Sequence, residues 1–62
     1  MKQLQYRVAT LNTEAPFAVY AEATIVTKEM RKVQAKPSQE LGGFQNWETR
    51  IVDTAQNPEL AR

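Results

Sequence analysis

From Gln3 to Leu11 the chain alternates, with Leu4, Tyr6 and Val8 on one side and Gln3, Gln5 and Arg7 on the other. That two-residue period predicts a strand with one buried and one wet face. Asn12-Thr13-Glu14-Ala15-Pro16 follows, bringing turn formers and a proline that cannot donate to a ladder, so a hairpin connection is expected there. Alternation resumes with Phe17, Val19, Ala21, Ala23 and Ile25 on one face and Tyr20, Glu22 and Thr24 on the other. The β-branched residues at 24 to 27 extend this second strand to Val26.

The period then lengthens. Val26, Met30, Val33 and Pro37 recur at helical spacing while Lys28, Lys32 and Lys36 recur on another side, which predicts a short amphipathic helix over 28–36. Thr27 is a suitable N-cap, Glu29 falls in the first turn, and Arg31, Lys32 and Lys36 lie toward the end, all matching the helix dipole. Pro37 limits the helix at Lys36. So short a helix is marginal by itself, and the competing architecture is an all-β small barrel in which residues 17–35 form one long bent second strand.

Ser38-Gln39-Glu40-Leu41-Gly42-Gly43 reads as a turn, or one helical turn closed by glycine. Phe44 to Thr54 predicts the last strand, with Trp47, Thr49 and Ile51 facing one way and Glu48, Arg50 and Val52 the other. Trp47, the largest apolar group, is the expected anchor of the core. The expected fold is α+β: a small three-stranded antiparallel sheet with one short helix in the order β-β-α-β, whose Met30 and Val33 rest on the sheet face carrying Ile25 and Trp47. A single domain over 1–56 is expected, with 57–62 as a flexible C-terminal tail in which Asn57 and Pro58 could start one helical turn.

Composition narrows the chemistry. The 62 residues include no cysteine and no histidine. Disulfides, thiolate nucleophiles, His/Cys metal sites and the side chain that titrates near neutrality are therefore absent. No carboxylate pair stands at a spacing that specifies a reaction; Glu22 with Glu29, and Glu48 with Asp53, read as solvated surface acids. Leu41-Gly42-Gly43-Phe44 has neither the following helix nor the lysine or serine that a phosphate loop needs. The expectation is a protein that is not an enzyme, with no catalytic residues, no cofactor and no metal.

A domain of this size buries only about 60% of the surface of its unfolded chain. With no staple available, its supports are packing, a partner, or self-association. An open edge of the sheet offers a route to a homo-oligomer, unless Lys2, Arg7, Glu22 and Arg50 act as the charges that keep an edge from pairing. No apolar run approaches the ~18 residues that would suggest a membrane span. Met1-Lys2-Gln3-Leu4-Gln5 lacks the apolar core of a signal peptide, so a cytoplasmic protein without a membrane partner is expected.

Net charge is +1 but unevenly spread: residues 1–27 sum to zero, residues 28–36 to +3 and residues 37–62 to −2. Lys28, Arg31, Lys32 and Lys36 are thus the candidate partner-binding residues, on one face of the predicted helix. The leading functional expectation is a non-catalytic interaction or regulatory protein that docks on a protein partner through this face, inhibiting or modulating it. The alternative is weak, sequence-independent nucleic-acid binding, in which four phosphate contacts would give a log–log salt slope of about −3.6. Tyr6-Arg7 and the segment Trp47 to Arg50 add a third idea, an aromatic and basic platform for single strands, although their spacing matches no nucleic-acid motif. The strand–strand–helix–strand order, with Tyr20-Ala21-Glu22 leading out of the second strand, slightly resembles small phage-encoded proteins that bind and inhibit host enzymes. That resemblance covers three residues and a topology, and carries no functional residue across.

Overall fold

The alternating N-terminal segment forms strand β1, Lys2–Val8, and the second alternating segment forms β2, Ala18–Ala23. The computed structural model describes residues 1–9, 15–43 and 46–60. Residues 12–14 of the expected hairpin connection lie outside the described residues, as do Thr10 and Leu11 at the end of the expected first strand, Phe44, Gln45 and the last two residues of the chain. Strand β3, Trp47–Asp53, pairs antiparallel with the other side of β1, so the sheet order is β2-β1-β3 with the N-terminal strand in the centre. The sheet is open and carries a helix, which confirms the α+β reading and removes the barrel alternative.

Helix α1, Lys28–Ala35, starts where expected. Thr27 is extended, and its Oγ1 accepts a hydrogen bond from the Met30 amide at 3.1 Å, satisfying one of the unpaired first-turn donors. The helix ends at Lys36, which precedes Pro37 and leaves the helical region. Pro37 opens a single further turn, α2, Pro37–Glu40, as a proline at a first helical position can. Gly42 closes it with φ of +68°: its amide donates to Gln39 O at 3.2 Å and the Gly43 amide to Ser38 O at 3.0 Å. This paired closure is a Schellman motif, which needs a left-handed residue where glycine has no Cβ to clash.

The buried cluster is Leu4, Met30 and Val33, with Ala21, Ala23, Val26 and Ile51 packed around it. Two expectations need correction. Ile25 does not lie under the helix but is 69% exposed. Trp47 is only half-buried and stacks at the far end of the sheet on Tyr6, with ring centroids 5.4 Å apart, while Tyr20 meets Tyr6 edge-on at 6.0 Å. Ile25 lies beyond the end of β2, which stops at Ala23, three residues before the expected end. Within β2 the register shifts: Leu4 faces Ala21 but Gln5 faces Val19, so a bulge leaves Tyr20 as the extra residue. The bulge puts Val19 opposite Gln5 instead of on the face of Ala21.

The second face of the sheet differs most from the pattern in the sequence. Gln3 and Gln5, on the side expected to be wet, are 3% and 0% exposed. A 3₁₀ turn, Pro58–Leu60, reaches this side, where the Leu60 carbonyl accepts from Gln5 Nε2 at 2.5 Å.

Candidate functional site

α1 turns about 100° per residue, so Lys28, Arg31 and Lys32 project away from Met30 and Val33. All three are exposed on that outer face, and Lys36, the C-cap residue where the chain leaves the helix, is exposed as well. Lys32 Nζ stands 3.6 Å from Glu40 Oε1 on α2. Among the described residues, Lys28, Arg31 and Lys36 have no carboxylate within ion-pair distance. Glu29 sits in the first turn of the same helix. Tyr20, Glu29, Lys32, Val33 and Glu40 line a groove of about 240 Å³ along the side of α1.

The opposite sheet face carries a polar ladder. Gln3 Nε2 donates to Glu22 Oε2 at 2.6 Å, and Gln5 Nε2 donates to Gln3 Oε1 at 3.0 Å as well as to Leu60 O. With both amide hydrogens of Gln5 committed, its Oε1 accepts from Arg50 Nε at 2.7 Å. The Phe17 ring carries two guanidinium groups, Arg50 with Cζ 3.9 Å from the ring centroid and Arg7 with Cζ at 4.3 Å. Arg7 is paired to Glu48 at 2.6 Å and donates through Nη1 to Ala15 O at 3.1 Å. These contacts were not legible as a site because Phe17 and Arg50 lie 33 positions apart and Phe17 belongs, by alternation, to the buried face. The register-shifting bulge brings them together.

Three of the four carboxylates named from the sequence have structural partners. Glu22 serves Gln3 and Glu48 serves Arg7, while Asp53 accepts from Lys2 Nζ at 2.9 Å and from the Ala55 amide at 3.0 Å. The Lys2 hydrogen bond and then the Ala55 amide hold the Asp53 carboxyl below the ordinary aspartate value. No group of three or more metal-ligating side chains is present among the described residues. Trp47 Nε1 is the one buried side-chain nitrogen or oxygen without a hydrogen-bond partner among them.

The two sheet edges are both blunted. β2 is six residues long, bulged, and carries Glu22; β3 carries Glu48, Arg50 and Asp53, with α2 packed beside it. Short, bulged and charged edges resist pairing with another chain. No described helix is long and apolar enough to cross a membrane. No family model, no curated protein and no solved structure matches the chain.

Proposed function

We propose that this chain is a non-catalytic cytoplasmic docking protein that binds and modulates a protein partner through the outer face of α1. The observation that carries this reading is the set Lys28, Arg31 and Lys36: three exposed cations without an ion pair among the described residues, two on a helix whose other side is locked to the sheet and one at its C-cap. An acidic surface fits them. Such a contact gains most in association rate and in discrimination between partners, and weakens as salt shortens the Debye length toward about 8 Å at physiological ionic strength. Exposed ion pairs are individually weak, so this face sets which surface is met, and neighbouring exposed groups such as Gln34 and Ala35 add contact area.

Nucleic acid is the weaker reading because Lys32 is shared with Glu40. Three free cations would give a salt slope of only about −2.7.

The test is affinity capture from native lysate with tagged wild-type protein and a variant with Lys28, Arg31, Lys32 and Lys36 all changed to Gln, with and without nuclease. A protein retained in stoichiometric amount by the wild type after nuclease, and lost with the variant while circular dichroism stays native, supports docking. Equal retention by both proteins removes this face from the function. Loss of all captured material on nuclease treatment moves the reading to nucleic acid.

A further inference from the structure

We propose that Arg50, together with Arg7 on the Phe17 ring, is a binding site for an oxyanion, a carboxylate or phosphate group, on the sheet face opposite α1. It is separate from the docking face and independent of it.

The cations of the sheet are Lys2, Arg7 and Arg50. Lys2 is paired to Asp53 and Arg7 to Glu48, whereas Arg50 has no carboxylate within 4.0 Å among the described residues. Its Nε is used by Gln5, but its two terminal nitrogens make no hydrogen bond to any described residue. They are not buried orphans either, because among the described residues only Trp47 Nε1 has that status. Among the described residues the terminal nitrogens of Arg50 are therefore unpaired without being fully buried. A guanidinium presents its donors in a planar fork that matches two oxygens of a carboxylate or phosphate.

Two features distinguish this arginine from an ordinary surface one. It is ordered before any ligand arrives: Gln5 is fully buried, and its amide hydrogens are committed to Gln3 and Leu60, which aims its oxygen at Arg50 Nε. The Phe17 ring, 3.9 Å from Arg50 Cζ, excludes water from part of the guanidinium and favours the cation through the π face. Less side-chain freedom is left to lose on binding, and partial desolvation strengthens the charge–charge attraction. Arg7 adds the second cation against the same ring, and the set Arg7, Arg50 and Glu48 keeps a charge of +1. By comparison Arg31, exposed on α1, has no described hydrogen-bond or ring contact of its side chain to fix it.

The probes are acetate and inorganic phosphate, each titrated into ¹⁵N-labelled full-length protein near pH 7 at constant ionic strength balanced with chloride. The arginine Nε–Hε signals are followed by NMR. A saturable shift at Arg50, with Arg31 showing only a small linear drift, is expected, and the order of the two affinities tells whether a planar or a tetrahedral anion fits better. Arg50→Lys keeps the charge but loses the fork, and should weaken binding roughly tenfold. Parallel, unsaturated drift of Arg50 and Arg31 would overturn the proposal, as would a folded Arg50→Lys variant that binds like the wild type. Should that variant fail to fold by circular dichroism, the comparison of Arg50 with Arg31 in the native protein decides alone.

Discussion

Replacing Gln5 by leucine tests whether the polar ladder under the second sheet face supports the fold or merely fills space. The side chain is fully buried on the central strand, so leucine of similar size would gain about 1.5–3 kcal/mol of apolar burial. Against that stand three hydrogen bonds, to Gln3 Oε1, to Leu60 O and from Arg50 Nε. Two neutral bonds at about 1 kcal/mol each and one charge-assisted bond at about 1.5–3 kcal/mol sum to roughly 3.5–5 kcal/mol. The Gln3 oxygen and the Leu60 carbonyl would then lose their donor in a place that leucine keeps dry. The net expectation is a loss of about 1–3 kcal/mol. A chain of this length holds roughly 3–9 kcal/mol in all, so the change is large. Urea unfolding followed by Trp47 fluorescence should show a lower midpoint at unchanged slope, and thermal unfolding should fall by about 4–8 °C for each kcal/mol lost. A midpoint equal to or above wild type would refute the reasoning, since buried polar groups can sometimes be exchanged for apolar ones without cost.

Leu4→Ala empties the centre of the only buried apolar cluster among the described residues and should cost about 3–5 kcal/mol, enough to abolish a cooperative urea transition or leave a barely populated native state. Thr27→Ala removes the acceptor for the Met30 amide, and the urea midpoint should report a loss of about 1 kcal/mol. Asp53 has its pKa lowered in the fold, first by Lys2, so its contribution is complete above the ordinary aspartate value and disappears as pH falls through the folded value. Stability measured from pH 7 down to pH 2 should therefore decline at the acid end, and Asp53→Asn should flatten that decline.

The sequence pattern located β1, α1 and β3 because each turns an apolar side to the same small core, and a single apolar side writes a clean period. Leu4, Met30 and Val33 were legible for that reason. The cap at Thr27 and the stop before Pro37 were legible too, because both act within a few residues. The pattern misled where burial came from polar groups. Gln3 and Gln5 look like a solvated face in any window, yet they are buried by a 3₁₀ turn more than fifty residues away and by neighbours that only the sheet brings near. The bulge in β2 was equally hidden: one unpaired residue inverts the sides of the strand beyond it, and Phe17, Val19, Ala21, Ala23 and Ile25 carry no mark of the shift. The basic face of α1 needed only the helix; Arg50 on Phe17 needed the bulge, the buried glutamine and the third strand together.

The first strand of the chain is the middle of the sheet, and this governs the order in which the molecule can be made. β1 receives β2 early, across a short connection, but its other ladder waits for β3; the ion pair of Lys2 with Asp53 closes a span of 51 positions. At a synthesis rate of about 5–20 residues per second, the thirty residues from Ala23 to Asp53 take roughly 1.5–6 s to add. Throughout that interval Leu4 lacks Ile51 and the whole of β1, from Lys2 to Val8, presents one unpaired side. A chain in which β3 has not yet paired therefore exposes, as an edge, the strand that ends up most protected.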